Sequence, residues 1–245
     1  MNRQAAKPAF GPGLYGKLPA RGDYISRALP PSFLTPWEEW LHGVWRVGVK
    51  RFGEVWAPLV GDGPTWRFVL DEEVCGPNAV AGVLAPGIDR VGRIFPLSLA
   101  VALPAGTDPA ALPITAGAWF NRAEALLRRA RAPELDFEIV EQWLEELGPP
   151  ERPPLPALSP GSAGWHIALD QAQAPALAYP ALFHDLAATF SGQPSLWWST
   201  GCRQVRPSMV VCQGLPDAGA VTAFYDGAWD YWGWNDADAA FPEGE

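Results

Sequence analysis

The chain has 245 residues, 48% hydrophobic and 18% charged, with a net charge of −9. That size and balance describe a globular protein with ample core material, while the acidic excess argues against nucleic acid as a partner. The 27 prolines and 25 glycines imply short elements joined by turns, and the 13 tryptophans supply large core or interface anchors. No apolar run approaches the ~20 residues of a membrane span, and the N-terminal residues lack the apolar core of a signal peptide. Cys75, Cys202 and Cys212 are an odd count without C-x-x-C spacing, so reduced thiols in the cytoplasm are expected. Charge is uneven along the chain. Residues 1–70 hold nine Lys/Arg against five Asp/Glu, whereas Pro207–Glu245 holds seven Asp/Glu and no Lys or Arg.

The first motif is Gly11, four residues, then Gly16-Lys17, most of the phosphate-loop pattern. The chemistry of that loop fails here on three counts. No buried strand leads in, Leu18 replaces the hydroxyl that would hold Mg²⁺, and Pro19 and Gly22 oppose a following helix. Arg21-Gly22-Asp23 spells an adhesion triplet, but three residues recur by chance.

The segment from Ser32 to Val60 predicts a long helix, with Thr35 as N-cap, Pro36 at the first helical position and Glu38 closing a capping box. Trp37, Leu41, Val44, Trp45, Gly48, Phe52, Val55, Trp56 and Leu59 follow helical spacing, and His42 lies off that stripe as a surface residue. Strands are predicted over 65–70, 79–85 and 93–103. The last is apolar enough for a central strand, with Pro96 at its start or in a bulge. Helices follow over 115–132, with Trp119, Ala123, Leu126, Leu127 and Ala130 on one face, and over 134–147, stopped by Gly148. The Pro-rich residues 148–164 read as a surface loop of a single domain spanning 10–235, with a flexible acidic tail at 236–245. Beyond the loop come a strand over 165–170, a helix over 180–190, strands over 195–200 and 208–214, and a last short helix over 220–232. Several connections are too short for parallel crossovers, so the sheet is antiparallel or mixed.

Little in this pattern assembles a catalyst. There is no G-x-S-x-G elbow, and Ser162 stands one place wrong in Gly161-Ser-Ala-Gly164. His184 and Asp185 are consecutive helical residues that do not face each other, and His166 sits on a strand as a core or edge histidine. No His, Cys or carboxylate spacing marks a metal site, and no cofactor is expected. The pairs Glu38-Glu39 and Glu145-Glu146 fall on solvent faces.

Three segments carry a resemblance. "GLYGKLPARGDYISRALPPSFLTPWEEWL", "PTWRFVL…CG…AGVLAPGIDRVGRIFPLSL" and "SLWWS" are similar to the type VI secretion system-associated family TagF, also called ImpM, over roughly Gly13 to Trp198. Tyr24 departs from the family's more usual phenylalanine, and Gly87 from its usual serine. The resemblance implies a cytoplasmic α/β domain, a three-layer α/β/α sandwich around a mixed, mainly antiparallel sheet, without recognised catalytic activity. It further implies a post-translational repressor of type VI secretion that binds the forkhead-associated (Fha) scaffold protein. Some relatives are fused to a phosphatase domain; here any phosphatase would be a separate chain.

Lys17, Arg21 and Asp23 belong to the first signature, in an expected strand-to-helix turn, and Asp89, Arg90 and Arg93 to the second. Two readings stand: these charges pair across the two turns and fix their geometry, or they form a recognition surface, with a small-ligand pocket or enzyme site as the rival from another class. Trp197 and Trp198 are adjacent on a strand and point to opposite faces, so burying both requires cover on both sides of the sheet.

Overall fold

The structure is a computed structural model that describes residues 10–105, 107–132, 134, 136–151 and 193–234. The strand expected at 165–170, the helix at 180–190, most of the loop at 148–164 and the tail at 236–245 lie outside the described residues.

Strands β1 (Gly13–Lys17) and β2 (Tyr24–Arg27) form a hairpin and lead into helix α1 (Pro31–Phe52). Helix α2 (Trp56–Gly61) and strands β3 (Trp66–Leu70), β4 (Val80–Ala85) and β5 (Leu97–Ala102) follow. Helices α3 (Leu112–Thr115), α4 (Gly117–Ala130) and α5 (Phe137–Leu147) precede β6 (Pro194–Ser199), β7 (Ser208–Gln213) and the short α6 (Ala223–Asp226). The seven strands form one sheet in the order β2-β1-β5-β4-β3-β6-β7, and every neighbouring pair is antiparallel. The expected parallel share is therefore absent among the described strands. Short links join β1 to β2, β3 to β4, β4 to β5 and β6 to β7 and leave no room for crossovers, while β5 and β6 return antiparallel to β1 and β3 over longer connections.

Two elements begin where the sequence reading did not put them. Helix α1 starts at Pro31, with extended Pro30 as its N-cap and no side-chain cap, so Thr35 and Glu38 make no capping box. A proline at the first position needs no N–H partner and has its φ already fixed, which lets the chain turn helical five residues early, at Pro31 rather than Pro36. Pro36 then lies inside the helix. The helix also stops at Gly53 (φ 59°), splitting the predicted single helix, and Val55 is exposed rather than part of the stripe. The predicted last helix is broken into the 3₁₀ turns Ala220–Thr222 and Asp230–Trp232 around α6.

Side chains of the sheet alternate between two hydrophobic clusters, as a two-residue period requires. Trp66, Phe68, Leu70 and Trp197 join Phe33, Trp37, Leu41 and Val44 of α1, Trp56 and Val60 of α2, and Phe224 of α6. Val69, Val83, Leu97 and Leu99 join Trp119, Phe120 and Leu127 of α4 and Val140 and Leu144 of α5. Trp198 packs against this second cluster, 4.7 Å from the Phe120 ring, while remaining part-exposed. Trp37 Nε1 donates to Ser98 Oγ (2.9 Å) and Trp197 Nε1 to Ser195 Oγ (2.9 Å), whereas buried Trp56 Nε1 has no acceptor among the described residues. Against α1, Gly48 leaves space for the Trp56 ring, which a Cβ there would meet at 2.1 Å. All three cysteines are free thiols, and burial pushes the Cys75 thiol up to about 12.

Candidate functional site

The two signature segments meet at one end of the sheet. The first is the β1–β2 hairpin, whose turn closes when Arg21 N–H donates to Leu18 C=O (3.0 Å), with Pro19 in the position that its fixed φ suits. Lys17 is thus the last residue of a buried strand and leads into a second strand. The expected strand-to-helix turn is a strand-to-strand turn, because Tyr24–Arg27 pairs back onto β1.

The second segment is a tight loop between Ile88 and Ile94, which bridge each other. Asp89 organises it: its backbone N–H donates to Arg93 C=O (3.0 Å), its C=O accepts from Gly92 N–H (3.0 Å), and its Oδ1 accepts from Val91 N–H (3.0 Å) and Arg93 N–H (2.9 Å). Gly92 (φ 87°) supplies the left-handed residue that brings the chain round. Close backbone approach ties this loop to β1. A Cβ at Gly87 would lie 2.7 Å from Lys17 C=O and 2.4 Å from Phe95 C=O, so glycine fits this backbone where the family more often has serine.

Charge then joins the two turns. Asp89 Oδ2 is 3.2 Å from Lys17 Nζ and accepts from Arg93 Nε at 2.6 Å. Arg93 Nη2 donates across to Gly22 C=O (2.6 Å), and Arg90 N–H donates to Arg21 C=O (2.9 Å). The carboxylate of Asp89 is fully enclosed and the Lys17 side chain only 7% exposed. Burial alone would raise the Asp89 pKa. Against it, the Arg93 N–H and guanidinium, the Lys17 ammonium and the Val91 N–H together hold the carboxyl well below the usual range.

Of the six predicted residues, Lys17, Asp89 and Arg93 form this network, and the others do not enter it through their side chains. Asp23 is exposed and accepts from its neighbour's Tyr24 N–H (2.8 Å). Arg21 lies over the Phe137 ring at 5.4 Å, and the Arg90 guanidinium rests against Gly22; both are exposed. Trp197 and Trp198 lie on β6, two strands beyond β4, and take no part.

Sequence reasoning missed the aromatic and polar floor beside the network. Lys17 Nζ lies 5.1 Å from the centroid of Tyr24, which packs edge-on to Phe95 (5.0 Å) and His42 (5.7 Å). His42 is half-buried rather than a plain surface residue, with Nε2 3.3 Å from Tyr15 Oη and 3.7 Å from Glu38. Burial, with Glu38 close by, raises the Tyr15 hydroxyl above its ordinary value. The departure at Tyr24 was the one sequence signal that pointed here. The described residues contain no group of three or more His, Cys, Asp or Glu that could hold a metal ion. Lys17 cannot serve a nucleotide without leaving Asp89, and the loop after it opens no helix N-terminus.

Residues 13–147, more than half the chain, match the family model described as the TagF N-terminal domain, type VI secretion system-associated. The chain belongs to the TagF family. It is also similar to the crystal structure of PA0076 from Pseudomonas aeruginosa PAO1, at 33% identity and a TM-score of 0.78, covering 96% of this chain and all of that one. A comparison with curated proteins gave no match. The TagF match spans both signature turns and all of the network between them. No helix among the described residues is long and apolar enough to cross a membrane.

Proposed function

We infer that this TagF-family protein is a non-enzymatic, cytoplasmic regulator that holds a type VI secretion system off by binding the forkhead-associated scaffold protein. One observation carries the reading: the buried polar groups of the signature are used up on each other. Lys17 and Arg93 both engage the Asp89 carboxylate across the two turns, so each of the three is committed to a contact within the fold. Beyond them the charges that the two turns present to solvent are Arg21, Arg90 and Asp23, and arginine is enriched where proteins meet proteins. A surface of this kind binds; it does not process.

The reading includes a single domain over 10–235 arranged as a three-layer α/β/α sandwich. The alternation of sheet residues between two helix-lined clusters supports that arrangement.

Overproduction in the native host, with a secreted tube protein assayed in the medium, tests the function. Secretion should fall, and the scaffold should be recovered with the tagged full chain. Unchanged secretion without scaffold recovery would sink the repressor and favour a ligand-sensing or enzymatic use of the charged turns.

A further inference from the structure

We propose that the outer edge of β2 is a docking site for an extended, acidic segment of a protein partner, which adds to the sheet alongside Tyr24–Arg27 and places its carboxylates on Arg21 and Arg90. This deepens the preceding reading and rests on its claim that the protein works by binding another protein.

The backbone makes the first half of the argument. β2 is a terminal strand, paired to β1 alone. Apart from Tyr24 N–H, which bonds Asp23 Oδ1, its backbone makes no hydrogen bond outside that pairing among the described residues. Alternate N–H and C=O groups of an antiparallel edge strand point away from the sheet and template another strand. Proteins usually guard such edges with proline, lysine or a covering element. "YISR" contains neither residue. Ala28, at φ 59°, ends the strand and limits the register to a short segment.

The surroundings make the second half. An open groove of about 400 Å³ runs beside the strand, lined by Arg21 to Arg27 and floored at its far wall by Phe137. Ile25 and Phe137 give it an apolar base, and the guanidinium of Arg21 lies over the Phe137 ring. Arg27 is already paired with Glu141. Among the described residues the guanidinium groups of Arg21 and Arg90 have no hydrogen-bond or ion-pair partner, and backbone hydrogen bonding holds these two residues together. With Arg27 and Glu141 paired, Arg21 and Arg90 outnumber Asp23, the exposed carboxylate of the same lining, so in a chain of net charge −9 the rim is locally positive and selects an acidic segment over a basic one.

The opposite edge sharpens the contrast. β7 exposes Met209 and Val211, and of the two exposed arginines just before it Arg206 is already engaged, which leaves Arg203 alone beside that edge. Main-chain pairing plus side-chain anchors is the established logic of strand addition, and β2 offers both.

The test uses the ¹⁵N-labelled full chain, titrated with a short peptide of alternating Glu and Val and, separately, with its Lys–Val counterpart. The Glu–Val peptide should shift amides of Tyr24–Arg27 and the Nε groups of Arg21 and Arg90, and the response should fade at about 0.5 M salt. The Arg21→Glu/Arg90→Glu double variant should bind about tenfold more weakly or less. Its fold should survive, since neither side chain has an ion-pair partner to lose, and unchanged shifts elsewhere in its spectrum report that directly. Absence of shifts at β2 up to millimolar peptide, an equal response to the Lys–Val peptide, or a single-stranded oligonucleotide that binds the same residues more tightly would each overturn the proposal. The scaffold does not enter this measurement. A positive titration with a failed scaffold pull-down therefore removes the scaffold and keeps the edge site, and the reverse removes the edge site alone.

Discussion

The enclosed Asp89 carboxylate accepts hydrogen bonds from two backbone N–H groups and one guanidinium while facing an ammonium. A carboxylate so held favours its charged form, and its pKa in the folded protein lies below the value of about 4 it would have in the unfolded chain. The sign of the linkage follows. The stabilisation is fully present above the unfolded-state value, declines as pH falls below about 4, and is lost as pH passes through the lower folded-state value. Asp89→Asn should therefore be less stable than wild type at neutral pH, because it leaves the buried Lys17 ammonium without its counter-charge. The gap should close on acidification. Urea-unfolding midpoints followed from about pH 7 to about pH 3 check this. A variant with the wild-type acid slope would mean that the Asp89 network contributes nothing to stability. Cys75 is also strongly shifted, as are Tyr15 and Tyr225, and at Cys75 the cause is burial, with Sγ 3.6 Å from Phe33 C=O.

At the scale of elements, caps and core tryptophans separate what was legible in the sequence from what was not. Asp136 accepts from Glu138 N–H (3.1 Å) and caps α5, whereas Thr35 is an exposed helix-interior residue of α1. Asp136→Ala should cost about 1 kcal/mol, and Thr35→Ala should stay within about 0.5 kcal/mol, both read from chemical denaturation. A loss of about 1 kcal/mol at Thr35 would restore the capping-box start. Trp197→Ala should cost about 3–5 kcal/mol, with part-exposed Trp198 costing less. Equal losses would mean the two faces are equally sealed. Strands β3 to β7 and helices α4 and α5 were readable because their apolar periods match their geometry. β1 was not: in "GLYGK" two glycines interrupt the alternation, and both are demanded by neighbours, since a Cβ at Gly13 would lie 2.4 Å from Arg27 C=O and one at Gly16 2.2 Å from Pro96 C=O. β2 is four residues long and has one buried side chain, Ile25, too little for a period to show. Missing that hairpin turned its turn into a strand-to-helix connection and hid Tyr15, Tyr24 and His42 as companions of Lys17. The charged signature residues themselves were legible. Which of them pair depends on a loop 70 residues away in sequence, and no local pattern encodes that.

For the molecule as a whole, the question is whether the signature charges at this end of the sheet hold the fold or meet a partner, and the geometry divides them. Lys17 and Asp89 are buried in mutual contact, so reversing either charge places like charges together without solvent and removes stability and function at once. Arg21 and Arg90 are exposed and make no side-chain hydrogen bond, so reversing either should leave the thermal midpoint close to wild type. Arg93 stands between: its side chain is 58% exposed yet bonds both Asp89 and Gly22 C=O, so its reversal should lower stability less than that of Lys17. The prediction is a split in a single series expressed in the native host. Lys17→Glu should give an unstable protein and open secretion. Arg21→Glu and Arg90→Glu should accumulate to wild-type levels with secretion equally open and with no scaffold recovered. Thermal unfolding of each purified variant, beside the amount of tube protein in the medium, reads both axes. If Arg21→Glu and Arg90→Glu stay folded and still hold secretion off, this end of the sheet is architecture alone, and the partner surface lies on another part of the molecule.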